Sequence, residues 1–307
     1  MRAIKKISFI IHGKIRRCLK LQKEIEAIFF PDFVLDFKVT TQSINAIDLS
    51  IEALKESTDF LVAVGGDGTV NEVVNGYLQF QTTKIIPLGV IPLGRGNDLV
   101  KSLGIKNDLK LLYRSLSNSE FKNLDVGKLS FFDFPQKNLK SRYFINIADI
   151  GLGGLATQMV RTSPRFLGAN WTYFWSILRS LWMYTAQDVV LSCSDWKYSG
   201  KIISICMANG RFFASGLAIA PSALLDDGKA EIVIVGKVGW LDFLRHLPQL
   251  RRGEKLQHRE IKYLSASACQ IDSLIPMPID IDGEFVGYTP LSMKMLPQRI
   301  KIIVPRG

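Results

Sequence analysis

Apolar runs alternate with amphipathic stretches along the first third of the chain, which predicts an α/β domain with a parallel, Rossmann-like sheet. The predicted strands are residues 4–11, 33–39, 60–64 and 85–91, and the predicted helices are residues 14–30 and 44–57. Thr40, Thr41 and Ser43 are the candidates to cap the second helix. Because parallel strands end at one edge of their sheet, we expect a ligand at that edge.

From about residue 122 onward, short apolar runs predominate, which predicts a mainly antiparallel β-sandwich as a second domain. The predicted strands are residues 142–150, 189–193, 201–207, 231–235 and 260–271. Helices are not expected to alternate regularly with these strands. The sequence therefore predicts an α/β domain over residues 1–121 and a β-rich domain over residues 122–291.

A glycine-rich turn follows the third predicted strand and suits a phosphate group. Gly65, Gly66 and Gly68 permit positive φ and close backbone approach, and Thr69 is expected to open the next helix. An anion there would meet unpaired N–H groups and the positive end of a helix dipole. The pattern G-x-x-x-x-G-K-[ST] is absent from the sequence, so this is not an ordinary P-loop.

Basic residues are clustered within residues 2–23 and 245–259, and the net charge of the chain is +11. Such clusters suit an anionic partner, either a nucleotide, nucleic acid or an acidic membrane surface, and a solvated basic face is an equal alternative. No nucleic-acid recognition motif accompanies the charge, so nucleic acid is not expected as a partner.

The four cysteines are widely spaced and form no Cys-x-x-Cys pair. Neither a metal knuckle nor a disulfide framework is therefore expected, and a reducing cytoplasm fits. The apolar run at residues 7–11 is too short for the core of a signal peptide. These observations predict a cytoplasmic protein.

Two blocks in the first domain together resemble the catalytic domain of the diacylglycerol kinase superfamily, which includes bacterial lipid kinases, sphingosine kinases and ceramide kinases. They are GGDGT at residues 65–69, followed by Asn71 and Glu72, and PLGRGND at residues 92–98. GGDGT alone is shared with NAD kinases and phosphofructokinases, whereas the second block favours lipid kinases. The resemblance implies an ATP site built from Thr40, Gly65, Gly66, Asp67, Gly68, Thr69, Glu72, Gly94, Arg95, Gly96 and Asn97. It also implies that a last strand, about residues 292–307, returns to the first domain.

Two positions depart from the family's pattern. Arg95 stands where the family usually has a small residue such as Thr or Ser, and its guanidinium could clamp a nucleotide phosphate or narrow the pocket. The first strand is followed by His12, Gly13 and Lys14, which is closer to the Asn-Gly-Lys version of some bacterial members. Whether Arg95 alters nucleotide use or abolishes activity is left open.

The late Asp-Gly-Glu sequence at residues 282–284 resembles the family's catalytic motif. The resemblance implies that Asp282 is the general base for a lipid hydroxyl and that Glu284 assists. Taken alone, the same letters would predict a hairpin turn. Alternation along a strand would place Asp280 and Asp282 on the same side.

Two magnesium sites are also implied by the resemblance. A structural ion would be held by the Asp227 carboxylate and the backbone oxygens of Leu224 and Lys229, which are hard oxygen ligands of the kind that Mg²⁺ prefers. A catalytic ion would lie near Asp67 and Asp125.

Residues 166–186 are rich in aromatic side chains, and two interpretations are open. An ordinary core helix is favoured from the sequence alone, and a helix at a lipid-lined groove or membrane interface is the alternative. Asn170 and Arg179 argue against a membrane-spanning helix.

Together these features predict an ATP-dependent lipid kinase that transfers the γ-phosphoryl group to a lipid hydroxyl, that of diacylglycerol or a related lipid, in phospholipid biosynthesis. The alternatives are a soluble NAD-kinase-like kinase and a catalytically inactive, nucleotide-regulated lipid-binding protein. ATP and Mg²⁺ are the expected cofactors. We expect a cytoplasmic protein, peripheral at the inner face of the membrane, with its lipid substrate at an anionic surface. A homodimer is left open.

Overall fold

The computed structural model describes residues 4–80, 82–133, 138–162 and 169–305, with side chains described outside residues 161–174. The chain divides into two compact units. The first comprises Met1–Leu124 and Gln298–Gly307, and the second is Asp125–Pro297. These boundaries lie a few residues after those expected from the sequence, at 121 and 292.

The first unit is built on a parallel sheet with strand order β4-β3-β1-β2. Its elements are β1 (Lys5–Ile11), α1 (Cys18–Phe29), β2 (Phe33–Val39), α2 (Ala46–Lys55), β3 (Phe60–Gly65), α3 (Asp67–Gln79), β4 (Leu88–Pro92), α4 (Asp98–Leu103) and α5 (Leu109–Ser117). Near the end of the chain, Ile302 pairs in parallel with Leu88 of β4. The predicted α/β fold is confirmed.

Buried apolar side chains hold this unit together. All six residues of β3 are buried, as expected for a central parallel strand covered on both faces. Phe9 of β1 packs edge-on against Phe29, the last residue of α1. That helix ends two residues before Pro31, because proline disfavours helical geometry in the residue that precedes it.

The second helix begins two residues later than predicted. Its cap is Asn45, whose side chain accepts the Asp48 N–H at 3.0 Å. Thr41 instead accepts N–H bonds from Ser43 and Ile44 in a local turn. The prediction of a threonine or serine cap was therefore wrong, and the asparagine directly before the helix was the missed signal.

The second unit is mainly antiparallel. Its elements are β5 (Phe121–Phe132), which begins in the first unit, β6 (Leu139–Phe144), β7 (Ile147–Gly151), α6 (Leu152–Thr162), α7 (Ala169–Met183), β8 (Gln187–Cys193), β9 (Lys197–Ile202), β10 (Ser204–Ala208), β11 (Phe212–Phe213), β12 (Leu217–Ala218), β13 (Ala230–Val235), α8 (Trp240–Arg252), β14 (Ile261–Ala266), β15 (Ala268–Ser273), β16 (Pro278–Ile281) and β17 (Glu284–Ile303), whose end lies in the first unit. One path of paired strands is β14-β13-β10-β7-β16-β17, and β8 and β9 continue from β15, which also pairs with β17. The predicted β-sandwich is confirmed, but the helices α6, α7 and α8 interrupt it.

One disulfide lies within the second unit. Cys193 of β8 and Cys269 of β15 are register partners on neighbouring strands and are bonded to each other. The prediction that the cysteines form no disulfide was wrong, because strand pairing brings together residues separated by 76 positions. Cysteine spacing therefore gives no support to a reducing compartment.

The aromatic segment is partly described. Residues 163–168 lie outside the described residues, as do the side chains of residues 169–174. In the described part of α7, Trp175 is 64% exposed and Trp182 is 80% exposed, so the core interpretation is wrong for these two residues. No helix among the described residues is long and apolar enough to cross a membrane.

Candidate active site

The carboxyl ends of the four parallel strands meet at one edge of the first unit. After β2, the Thr40 hydroxyl accepts the Gly13 N–H at 2.9 Å, which ties the ends of β1 and β2 together. After β4, the N–H groups of Leu93 and Gly94 donate to the Gly65 carbonyl at 2.8 and 3.1 Å. The sheet therefore places the two glycine turns of the predicted ATP site side by side.

Gly66 and Gly94 make the contact between these turns. A Cβ placed on Gly94 would overlap the Cα of Gly66, and a Cβ on Gly66 would lie 3.0 Å from the Cα of Gly94. Gly66 has φ −101°, so the expected positive φ is not what requires glycine there. The requirement comes from the close approach of two backbones.

Replacing Gly94 by Ala is expected to destabilise the first unit by about 2 kcal/mol, because the added methyl forces the two turns apart. Urea unfolding checks this. Gly239→Ala is the control, since Gly239 has φ −89° and its nearest neighbour to an added Cβ lies at 3.6 Å. Equal stability of the two variants would contradict the contact between the turns.

Helix α3 starts directly after the first glycine turn, two residues before the predicted Thr69. Gly66 is its N-cap residue and supplies no side chain to cap the first turn, whose N–H groups can donate to an anion. Thr69 is 5% exposed, and its hydroxyl lies 2.5 Å from a Cβ built on Gly65. Thr69 thus lies beneath the turn.

Two carboxylates lie beside this turn. Burial and then the nearby charge of Asp98 raise the pKa of Asp67, while the Leu99 N–H donates to its carboxylate at 3.4 Å. Asp98 is 5% exposed and pairs with Lys101 at 3.0 Å. The sequence motif contained Asp98, but its proximity to Asp67 becomes visible only in the fold.

The other residues predicted to bind the nucleotide lie on the second glycine turn or on helix α3. Asn97, at φ 52°, donates from its side chain to the Gly94 carbonyl at 2.8 Å and so fixes the second turn. Arg95 is exposed on that turn and makes no ion pair with any described residue. Glu72 accepts the Ala46 N–H at 3.1 Å and joins α3 to the start of α2. A role for Glu72 in binding ATP stays a prediction.

Asp282 lies in a two-residue turn between β16 and β17. Asp282 and Gly283 have φ of 48° and 89°, the signs of a type I′ hairpin turn, so the hairpin interpretation holds. Asp282 is 8% exposed. Its carboxylate accepts N–H bonds from Ile145, Asn146 and Ile147 at 3.0, 3.1 and 2.9 Å. These donors fix its orientation. Because Asp282 lies beyond the strand, the alternation argument does not apply to it.

The remaining predicted carboxylates have partners of their own. Glu284 pairs with Arg142 at 2.7 Å, a partner that the sequence did not suggest. Asp125 accepts the Gly228 N–H at 2.6 Å. It therefore lies against the loop of the predicted structural ion. In that loop Asp227 is exposed and accepts the Lys229 N–H at 3.0 Å.

A buried pair of carboxylates lies on neighbouring strands of the second unit. Asp149 of β7 and Asp280 of β16 are register partners. Burial raises the pKa of Asp149 to about 6 and that of Asp280 to about 7. Ser204 and Cys206 donate to Asp149, and Thr157 donates to Asp280 at 2.5 Å. Sequence reasoning noted Asp280 but missed Asp149.

An apolar cavity of about 90 Å³ extends from Asp149 to the inner side of α8. Its apolar walls include Leu152, Ala156, Ile177, Ile203, Phe243 and Leu250. His246 and His258 also line it, with ring centroids 5.5 Å apart. The composition of these walls suits an alkyl group, and the volume holds a few methylene groups.

Comparison with known proteins identifies the family. The family model described as "Diacylglycerol kinase catalytic domain" matches residues 10–129. A second family model, described as "YegS C-terminal NAD kinase beta sandwich-like domain", matches residues 146–304. A diacylglycerol kinase of Staphylococcus carnosus (strain TM300) is 30% identical over 269 residues, which cover 85% of this chain and 83% of the relative. The chain belongs to the diacylglycerol kinase family. A diacylglycerol kinase of Staphylococcus aureus (strain Newman) is 29% identical, with 86% and 81% covered.

Solved structures agree with the fold of this family. A diacylglycerol kinase from Bacillus anthracis str. Sterne has a TM-score of 0.70 at 19% identity and covers 98% of this chain and 97% of its own. Yeast NADH kinase complexed with NADH has a TM-score of 0.57 at 10% identity, with 100% and 85% covered. Membership of the diacylglycerol kinase family confirms the predicted class, an ATP-dependent lipid kinase with an alcohol acceptor. The NAD-kinase-like alternative is the weaker one.

Proposed function

We propose that this chain phosphorylates the free hydroxyl of diacylglycerol, or of a closely related lipid, with the γ-phosphoryl group of ATP. The observation that carries the choice of acceptor is the apolar cavity of the second unit. NAD is polar and charged, and burying it against such walls would cost its hydration without compensating hydrogen bonds. A few methylene groups of an acyl chain gain free energy there.

The cavity and the proposed base both contact strand β7. Asp149, which lines the cavity, is two residues from Ile147, whose N–H donates to Asp282. Lipid held in the cavity therefore has its polar end near β7 and the Asp282 turn. Asp282 would orient the acceptor hydroxyl and take its proton as the oxygen attacks the γ-phosphorus, with Glu284 assisting.

The first unit supplies the donor site in this proposal. ATP phosphates accept N–H bonds from the turn at Gly66, Gly68 and Thr69 and benefit from the dipole of α3, which is 13 residues long. Thr40 and the turn at residues 94–97 complete the nucleotide site. Positioning and charge stabilisation are the main demands of phosphoryl transfer, and a rigid pair of turns meets the first of them.

Magnesium fits the donor chemistry of the residues present. Asp67 and the adjacent Asp98 place two carboxylates beside the phosphate turn, and carboxylate oxygens are ligands that Mg²⁺ prefers. Mg²⁺ there would neutralise charge on the phosphates, and the predicted support from Asp125 stays part of the proposal. At the second site, no group of three or more side-chain ligands occurs among the described residues. An ion at Asp227 would therefore need the carbonyls of Leu224 and Lys229.

Arg95 is proposed to bind a nucleotide phosphate, because it is exposed on the second turn and unpaired within the described part of the chain. Arg95→Ser is expected to raise the KM for ATP about tenfold with little change in kcat, because the variant loses one charge-assisted hydrogen bond to the bound nucleotide. Steady-state kinetics checks this, with Arg114→Ser, an exposed arginine of α5, as control. Higher activity of the Arg95 variant would instead favour the interpretation that Arg95 narrows the pocket.

We place the enzyme at the cytoplasmic face of an anionic membrane, where such a lipid resides and where its net charge of +11 is attracted. Purified protein with Mg²⁺ and γ-labelled ATP is offered diacylglycerol, sphingosine, phosphatidylglycerol, a polyprenol and NAD. We expect label in phosphatidic acid. Label only in NAD would reject the lipid proposal, and no label in any acceptor would favour the inactive binding protein.

A further inference from the structure

Helix α8 is apolar on two opposite sides. Phe243, His246 and Leu250 recur at helical spacing and line the cavity. Leu241 and Leu244 on the outer side are 64% and 37% exposed, and Trp240, which is 45% exposed, lies at the edge of that side. A helix that only covers a core has a polar outer side, so this outer apolar strip needs a separate explanation.

Arginines flank the outer strip. Arg245 and Arg251 are exposed and make no ion pair with any described residue, whereas Arg252 is held by Glu254 at 2.6 Å. The acidic residue of the helix, Asp242, caps its first turn by accepting the Gly239 N–H at 3.1 Å. The outer side of α8 therefore combines apolar side chains with uncompensated positive charge.

We propose that the outer side of α8 docks this chain on an anionic lipid bilayer, with Trp240, Leu241 and Leu244 inserted among the acyl chains and Arg245 and Arg251 on lipid phosphates. This inference rests on the proposed lipid kinase function. Tryptophan and leucine beside arginine on one helix side are typical of an interfacial helix. Since the other side of α8 walls the cavity, docking brings the cavity next to the membrane that holds the acceptor.

Neighbouring structure agrees with this assignment. Helix α7 packs against α8 and exposes Trp175 and Trp182. Tryptophan partitions well at the depth of lipid headgroups because its ring is apolar and its N–H is polar. A protein partner would need carboxylates placed opposite the two arginines as well as an apolar surface, whereas an anionic bilayer supplies both.

Vesicle sedimentation of the full chain tests the proposal. Vesicles of phosphatidylglycerol and phosphatidylcholine are compared with pure phosphatidylcholine, without ATP. We expect the double variant Leu241→Ser and Leu244→Ser to weaken partitioning to anionic vesicles roughly a hundredfold, given the burial of several methylene groups. Arg245→Gln with Arg251→Gln is expected to weaken it roughly 30-fold and to reduce its salt dependence.

Leu274→Ser with Ile275→Ser is the matched control, since both side chains are exposed, at 88% and 58%, and stand beside the acidic Asp272 rather than arginines. Activity on a short-chain diacylglycerol dispersed below its critical micelle concentration should be unchanged in all variants, which shows intact folding and chemistry. Wild-type partitioning by the α8 variants, or an equal loss in the control, would overturn the proposal. If the α8 variants change the monomer–dimer equilibrium but bind vesicles as the wild type does, the outer strip contacts a second copy of this chain and the proposal is wrong. Absence of lipid phosphorylation in the wild type would reject the proposed function separately.

Discussion

Replacing Asp282 by Asn is expected to lower kcat for lipid phosphorylation about 1,000-fold, the usual contribution of a positioned general base. The side chain is almost buried, and three N–H donors hold its carboxylate in one orientation. An amide of the same shape cannot accept the acceptor's proton. Transfer of label from ATP to diacylglycerol measures the effect.

The same substitution carries a structural cost that must be separated from catalysis. An amide has one acceptor oxygen, so at least one of the N–H groups of residues 145–147 loses its partner, at a cost of about 1–3 kcal/mol. The melting temperature should fall, and assays belong well below it. Binding of a non-hydrolysable ATP analogue should be unchanged, because the proposed donor site lies in the first unit.

Asp133→Asn provides the matched control. Asp133 also accepts a backbone N–H, from Asn138 at 2.7 Å, and has no proposed role in chemistry. It should lose some stability and keep its activity. If Asp282→Asn stays within tenfold of the wild type after correction for folding, Asp282 orients the turn and is not the base.

Local sequence patterns were sufficient where a single segment determines the structure. The buried runs of β1 and β3 form strands because their apolar side chains cannot face water on either side of a parallel sheet. The end of α1 before Pro31 follows from backbone sterics alone. The glycine turn after β3 was recognisable for the same reason, since nearby residues in the chain build it.

Features that depend on distant segments were not accessible in this way. The contact of Gly66 with Gly94 explains why both are glycine, and sequence spacing suggested positive φ instead. The disulfide, the pairing of Asp149 with Asp280 and the cavity under α8 all arise from strand and helix packing across the second unit. Residue roles in the site also rest on such long-range placement, and they stay predictions until the variants are assayed.

The Asp149 and Asp280 pair is expected to make stability depend on pH. Burial raises the pKa of Asp280 to about 7, whereas an aspartate in the unfolded chain titrates near pH 4. Between these values the folded protein binds a proton that the unfolded chain does not. The free energy of unfolding that this group contributes therefore falls as the pH rises from about 4 to about 7, and it is constant above that range.

Asp280→Asn should consequently stabilise the protein at pH 8, by on the order of 3 kcal/mol, and have little effect at pH 4. An asparagine can still accept the Gly283 N–H with its oxygen and donate to the Thr157 hydroxyl, so both contacts of the carboxyl group persist. Urea unfolding at both pH values measures the difference, with Asp272→Asn, an exposed residue of β15, as control. An identical pH dependence in wild type and Asp280→Asn would show that the buried carboxyl is charged in both states at no cost. The density of hydrogen-bond donors around the pair would then outweigh its burial.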